Sequence, residues 1–120
     1  MQVNKLRDLV LNALSELKAN DITVLDVRNK TSITDYFVIA SGTSDRHIKS
    51  VAEAVALAAK QAGEPPIGQE GMTDGDWALI DLNGVVVHIM HPKVRDFYQL
   101  EKLWSVDAEA AEQVTPDNRK

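Results

Sequence analysis

The sequence predicts an α/β domain in which helices flank a mixed β-sheet. Apolar residues recur every three or four positions in three segments, and short runs rich in β-branched residues lie between those segments. One of these runs is continuously apolar, which is typical of a central strand with both faces covered. The predicted order is helix, strand, strand, helix, loop, strand, strand, helix.

The first predicted elements are one helix and two strands. Residues 3–19 carry a stripe of leucine, valine and alanine with charged residues opposite, which predicts an amphipathic helix. Ile22–Val27 predicts a strand, and Asn29–Ser32 has the polar composition of a turn. Asp35–Gly42, with the sequence DYFVIASG, is the continuously apolar run and predicts the central strand.

A second helix is predicted after the central strand. Ser44 or Thr43 can cap its N-terminus, and Asp45 in its first turn complements the helix dipole. Gly63, which is followed closely by two prolines, ends the helix. The glycine-rich segment Ile67–Asp76 predicts a loop with room for one short strand.

The segment Asp76–His91, with the sequence DWALIDLNGVVVHIMH, predicts a β-hairpin with Asn83-Gly84 at its tip. A two-residue Asn-Gly loop favours a type I′ turn, which sets how the two strands pair. One face is then wholly apolar and pairs Leu82 with Val85, Ile80 with Val87, and Ala78 with Ile89. The other face is mixed and places Trp77, Leu79 and Asp81 opposite Met90, His88 and Val86.

The mixed face of the hairpin has two interpretations. In the structural one, a helix covers Trp77, and His88 and Asp81 form a satisfied polar pair. In the functional one, part of this face or the tip Leu82-Asn83-Gly84 contacts a partner, because tryptophan is enriched among residues that dominate binding energy. The residues by themselves leave both interpretations open.

The last predicted helix runs from about Lys93 to Trp104 and is more apolar than one buried stripe requires. Its surplus apolar area is either covered by the sheet or forms a subunit contact. The acidic tail after Ser105 has few large apolar residues, so we expect it to be disordered. These features predict one domain over residues 1–105 and a tail over residues 106–120.

The composition argues against several classes of protein. A net charge of -5 disfavours nucleic acid as the direct partner and suits a basic protein partner. Without cysteine the chain forms neither disulfides nor thiolate metal sites, as a reducing cytoplasm permits. The pattern of a signal peptide and a long apolar run are both missing, so we expect a cytoplasmic protein with no membrane span.

The candidate motifs for catalysis and ligand binding are incomplete. Ser41–His47 resembles a phosphate-binding loop before a helix, but it lacks both standard glycine patterns. Asp74-Gly75-Asp76 lies far downstream, where a loop explains it better than a Mg²⁺ site. His88 and His91 fall on opposite faces of a strand and cannot chelate one metal ion. We therefore expect no catalytic residues, metal or cofactor, and predict a binding protein; a phosphate- or nucleotide-binding enzyme is the alternative.

Three segments of the chain closely resemble one known family. They are DITVLDVRNKTSITDYFVIASGTSDRHIKSVAEAV, GMTDGDWALIDLNGVVVHIMH and FYQLEKLWS, and the match covers about residues 3 to 105. These segments are similar to the bacterial ribosomal silencing factor family, also called the Iojap-like family. The specific elements are Leu25-Asp26-Val27, Thr34-Asp35, Gly42-Thr43-Ser44, Arg46-His47, Trp77, Asp81, Gly84, Val87-His88 and Glu101-Lys102-Leu103-Trp104.

The resemblance implies a translation regulator that is not an enzyme. It implies a homodimer of an α/β fold related to nucleotidyltransferases but without their catalytic residues. It also implies binding to the large ribosomal subunit through protein fourteen of that subunit. Occupying that surface blocks joining of the small subunit, so translation falls when nutrients are scarce.

The resemblance also implies which residues contact the partner, namely Trp77, Leu82, Asn83 and Gly84. Trp77 is then the aromatic anchor, and the tip brings backbone close to the partner. Leu82, which the register places on the core face, is expected to be exposed at the tip. We add three carboxylates as charges that steer association with a basic ribosomal surface, namely Asp74, Asp76 and Asp81.

Overall fold

The computed structural model describes residues 1–71, 76–100 and 102, together with the backbone of residues 111–113. Three helices and six strands lie within these ranges. The helices are α1 (Val3–Glu16), α2 (Asp45–Gln61) and α3 (Pro92–Tyr98). The strands are β1 (Asn20–Asp26), β2 (Tyr36–Ser41), β3 (Gly68–Glu70), β4 (Trp77–Asp81), β5 (Val85–Met90) and β6 (Ala111–Gln113).

The strands form one mixed sheet in the order β3-β4-β5-β2-β1-β6. β2 and β5 run parallel, and the other neighbouring strands run antiparallel. This arrangement confirms the predicted α/β class with a mixed sheet flanked by helices. β2 is the predicted central strand, and all but one of its residues are buried. β6 pairs with β1 through its backbone and was not predicted, whereas the rest of the predicted tail, residues 106–110 and 114–120, lies outside the described residues.

α1 and α2 pack on one face of the sheet and form the main core with it. Their buried residues follow the predicted helical period: Leu6, Val10, Ala13 and Leu14 in α1, and Ile48, Val51, Ala52, Val55 and Ala59 in α2. The Ser44 hydroxyl accepts a hydrogen bond from the His47 N–H at 3.1 Å and caps α2 as predicted.

Gly42 allows α2 to begin directly against the end of β2. A Cβ at this position would lie 2.5 Å from Ile48 Cγ1 and 3.2 Å from the Ile48 backbone nitrogen. Only glycine fits this close approach without a shift of the helix.

The hairpin of β4 and β5 has the predicted register, and the Leu82 N–H donates to the Val85 carbonyl oxygen at 2.9 Å. The predicted type I′ turn is wrong. Asn83 has a φ of 64°, but Gly84 lies outside the left-handed region that such a turn requires at both central residues. The two strands pair as predicted across a two-residue loop, although the turn in that loop is of another type.

Leu82 is buried, so the expectation that it is exposed at the tip is wrong. Its exposed fraction is 3%, and it belongs to the main core. The core does not end before the tip, because the first turn of α1 reaches it. A Cβ on Gly84 would lie 3.1 Å from the side chain of Val3.

Within the described residues, the other side of the sheet, which we call the open face, is covered only in part, by α3 and the residue Leu100 after it. Val94 and Leu100 pack there against a second buried cluster, formed by Leu25, Val27, Ile39 and Met90. α3 ends at Tyr98 because Gln99 takes a left-handed φ of 52°. It is therefore shorter than the predicted helix over residues 93–104. Leu100 and Lys102 are helical again after the interruption at Gln99, and residues 101, 103 and 104 lie outside the described ranges.

Candidate functional site

The open face contains a cavity of about 320 Å³. Its walls come from β2, β4 and β5, with one residue from the loop before β2 and one from the segment after α3. The lining residues are Ile33, Phe37, Ile39, Trp77, Leu79, Asp81, Val86, His88 and Leu100. The mixed face that the register predicts for the hairpin is therefore a wall of this cavity.

Trp77 and His88 form a hydrogen-bonded pair in this wall. The indole Nε1–H donates to His88 Nδ1 at 3.2 Å, and the ring centroids lie 6.0 Å apart. Trp77 faces Met90 across the hairpin and His88 faces Leu79, so the two rings are diagonal neighbours. The ring of Tyr98 lies 4.9 Å from that of Trp77 on the side of α3. Trp77 is thus half-buried, partly covered by a helix.

His88 is held in its neutral form by its surroundings. Its exposed fraction is 8%, and burial lowers its pKa to about 4, because the charged ring is disfavoured away from water. An indole N–H can only donate, so Nδ1 is the unprotonated nitrogen and Nε2 carries the proton. Across the described ranges, Nε2 makes no hydrogen bond.

Asp81 holds the hairpin tip and does not pair with His88. Its Oδ1 accepts the Asn83 backbone N–H at 2.9 Å, which is the geometry of an Asx turn. The polar pair of His88 and Asp81 in the structural interpretation is therefore not formed, since Trp77 supplies the partner of the imidazole instead.

The tip of the hairpin is fixed to the loop before β2. The Gly84 carbonyl oxygen accepts the N–H groups of Asp35 and Tyr36, both at 3.1 Å, while Asn83 is exposed. Trp77 lies six residues before Asn83, so the two are roughly 20 Å apart along an extended strand. The structure therefore places the residues of the implied contact at opposite ends of one hairpin, with Leu82 beneath the surface.

The candidate steering carboxylates are also spread along the hairpin. Asp76 is exposed directly beside Trp77, and Asp81 is half-buried near the tip. Asp74 lies outside the described residues.

Three exposed apolar side chains lie on or beside the open face. The exposed fractions are 75% for Ile33, 79% for Phe97 and 51% for Tyr98. Phe97 and Tyr98 belong to the predicted last helix, which is more apolar than one buried stripe requires. Val94 and Leu100 pack against the second buried cluster, whereas Phe97 stays mostly exposed. Ile33 was missed, and its one signal was an isoleucine within a polar turn.

The residues of the Ser41–His47 segment take part in the packing of the fold. His47 Nδ1 accepts the Thr43 N–H at 2.9 Å, and His47 Nε2 lies 2.7 Å from the Leu17 carbonyl oxygen. Ser44 caps α2, and the Ser41 hydroxyl accepts from Arg95 at 2.9 Å. These contacts explain the polar residues of the segment by their part in the fold, without a bound phosphate.

A second cavity, of about 420 Å³, lies beside Arg95. The guanidinium donates to the Asp21 carbonyl oxygen at 2.7 Å and to Thr23 Oγ1 at 3.1 Å, so it joins α3 to β1. In the part of the chain that the structure describes, no three His, Asp or Glu side chains are grouped as a metal site. None of the three helices in that part combines the length and apolar character needed to cross a membrane.

Comparison with known proteins gives a consistent result. Residues 1–120 match the family model described as ribosomal silencing factor during starvation. A Haemophilus influenzae protein named ribosomal silencing factor RsfS is 42% identical over 98 residues, which cover 82% of this chain and 96% of the relative. A mouse protein named mitochondrial assembly of ribosomal large subunit protein 1 is 36% identical over 102 residues, which cover 82% of this chain and 45% of that protein.

A solved structure has the same fold. The crystal structure of a Chromobacterium violaceum protein superimposes with a TM-score of 0.86 at 39% sequence identity, and the match covers 88% of each chain.

Proposed function

Because the chain belongs to the ribosomal silencing factor family, we propose that it represses translation by binding the large ribosomal subunit through protein fourteen of that subunit. Bound there, it prevents the small subunit from joining by occupying the space that the small subunit needs. Translation then falls when nutrients are limiting, as in stationary phase. The protein acts in the cytoplasm as a binding factor, without catalysing a reaction.

The observation that carries this proposal is the half-buried Trp77 on an apolar cavity of the open face. The exposed side chain of Ile33 and the ring of Tyr98, which lies against Trp77, enlarge the apolar area around it. Apolar patches of this kind on a folded protein mark interaction sites. A tryptophan in such a setting is the residue type that most often dominates the binding energy.

The mouse relative supports the choice of subunit. That protein is named for the assembly of the ribosomal large subunit. We propose the large subunit as the partner of this chain too.

The two ends of the hairpin take different parts in the proposed contact. Trp77 anchors the apolar end, and Asn83 and Gly84 offer backbone at the tip. Leu82 supports the tip from inside the core, because it is buried there. A partner that touches both ends spans about 20 Å of strand, which a ribosomal protein surface can provide.

Carboxylates along the hairpin steer the acidic chain to a basic surface on the ribosome. Asp76 is the clearest candidate because it is exposed beside Trp77; Asp74 and Asp81 are the others. We expect Asp76→Asn to slow association at low salt and to have less effect as salt rises. Equal association rates for this variant and the native chain at low salt would remove Asp76 from the steering set.

A second copy of the chain is the other partner that we propose, with α3 at the dimer contact. Phe97 is the most exposed large apolar side chain among the described residues, and its ring packs edge-on against Tyr98 at 5.0 Å. Phe97→Glu is expected to shift the chain from dimer to monomer in sedimentation equilibrium. A native chain that is monomeric at all concentrations would contradict this assignment.

Sedimentation of ribosomal subunits tests the main proposal. Purified subunits are mixed at a Mg²⁺ concentration that permits joining, with the native chain, with Trp77→Ala, or with Leu57→Ala. Leu57 is a matched control because it is 54% exposed on α2, on the other side of the sheet. We expect the native chain and Leu57→Ala to migrate with the large subunit and suppress joined particles, and folded Trp77→Ala to do neither. Normal joining with the native chain would overturn the proposal.

A further inference from the structure

His88 has one polar atom, Nε2, that makes no hydrogen bond within the described part of the chain. Four polar side chains are buried among the described residues, namely Thr23, Thr34, Ser41 and His88. Thr23 and Ser41 accept hydrogen bonds from Arg95, and Thr34 donates to the Tyr36 carbonyl oxygen at 3.4 Å. His88 differs from these three because only one of its two ring nitrogens is engaged, the Nδ1 that accepts from Trp77.

The unused atom is a hydrogen-bond donor. Since Nδ1 accepts from the indole N–H, the neutral ring carries its proton on Nε2. A buried donor without an acceptor loses its hydrogen bonds to water and gains nothing in return, so such groups are rare in folded proteins. Because His88 lines a cavity and no described residue accepts from Nε2, a partner in this cavity can supply the acceptor.

The remaining cavity wall defines what kind of group brings that acceptor. Ile39, Leu79 and Val86 line the cavity with apolar atoms. Asp81 is the one carboxylate among the described lining residues, and it is already engaged with the Asn83 N–H. An anionic ligand would meet repulsion from this carboxylate, whereas a neutral carbonyl oxygen would not. The wall therefore suits an apolar peptide segment with an accessible main-chain carbonyl.

The geometry points to His88 as the residue that reads the partner at this site: the cavity takes an apolar side chain of the partner protein, and a main-chain carbonyl oxygen of the same segment accepts from His88 Nε2–H. The inference rests on the proposed function, since it concerns the docking surface around Trp77. Through Nδ1 the same imidazole holds the indole in place. His88 is thus a positioning residue for Trp77 and a specificity residue for the peptide segment.

Two substitutions separate the two roles of the ring. The amide of asparagine occupies the place of Nδ1, so His88→Asn keeps an acceptor for Trp77 and removes the Nε2 donor. The longer glutamine reaches the place of Nε2, so His88→Gln keeps a donor there and removes the acceptor for the indole. We expect His88→Asn to bind purified large subunits about tenfold more weakly, since one hydrogen bond to a buried group is lost. His88→Gln should bind more tightly than His88→Asn and shift the NMR signal of the Trp77 indole N–H.

Nitrogen NMR of the native chain provides a test that needs no variant. The free protein should show an unprotonated Nδ1 and a protonated Nε2 at His88. Adding purified protein fourteen of the large subunit should slow the exchange of the Nε2 proton with water. A proton on Nδ1, or unchanged exchange in the complex, would overturn the inference.

Comparing the binding of Trp77→Ala with that of His88→Asn separates the role of His88 from docking at Trp77. If folded His88→Asn binds like the native chain while Trp77→Ala does not bind, the reading by His88 is wrong and docking at Trp77 stands. If both variants bind like the native chain, docking at this cavity is wrong as well. Thermal unfolding of each variant shows whether it is folded.

Discussion

The burial of neutral His88 makes the stability of the fold depend on pH. Burial lowers the pKa of this histidine from 6.5 to about 4. Between these two values the unfolded chain binds a proton that the folded chain excludes, so the free energy of unfolding falls as the pH drops from 6.5 towards 4. Each pKa unit corresponds to about 1.4 kcal/mol, and the full loss is therefore about 3 kcal/mol.

Urea unfolding at several pH values between about 7 and 4 measures this loss. His88→Phe is the matched variant, because it keeps a ring of similar size in the cavity wall and cannot titrate. Every other ionisable group is common to both proteins, so the difference between the two pH profiles isolates His88. We expect the native chain to lose about 3 kcal/mol relative to the variant over this range, with little change above pH 6.5.

Parallel profiles would refute this reasoning, because they would mean that His88 has the same pKa in the folded and unfolded chains. A native chain that gains stability as the pH falls would refute its sign. That result would require a charged imidazole stabilised by the fold, which is the opposite of burial away from water.

Three further substitutions test the packing that supports the site. Leu82→Ala should lower the free energy of unfolding by about 2–5 kcal/mol, as for a core residue. A loss below about 0.5 kcal/mol in the same urea experiment would mean that Leu82 is a surface residue. Ser44→Ala should cost about 1 kcal/mol through loss of the α2 cap, and Ser44→Asp, which keeps an acceptor, should recover most of it in thermal unfolding. Gly42→Ala should cost about 1–3 kcal/mol because its Cβ meets Ile48; an unchanged unfolding temperature would contradict the close approach.

The elements that could be predicted from the sequence are those set by local patterns. The stripes of α1 and α2 repeat with the helical period, and the buried positions found in the structure follow them. The hairpin register followed from a two-residue loop between two apolar runs. Because side chains alternate along a strand, that register also predicts that Trp77, Leu79 and Asp81 share one face, which is the face that lines the cavity.

The features that were missed depend on contacts between distant parts of the chain. Leu82 is buried because α1 packs over the tip, which the hairpin sequence does not reveal. The choice of Trp77 over Asp81 as the partner of His88 depends on side-chain directions across a twisted sheet. α3 ends at Tyr98 because the next residue, Gln99, is left-handed. Such helix ends usually carry glycine or asparagine, so the residue type did not indicate this one.

The parallel pairing of β2 with β5 determines the order in which this fold can assemble. Tyr36 pairs with Val85 and Ser41 with Met90, across more than a third of the chain, whereas β1 with β2 and β4 with β5 are joined by short connections. Closing so long a loop costs entropy before the contact repays it, so the centre of the sheet forms late and limits the folding rate. During synthesis, the edge of β2 that pairs with β5 stays unpaired until β5 has left the ribosome. The nascent chain thus passes through a stage at which its central strand is open to other chains.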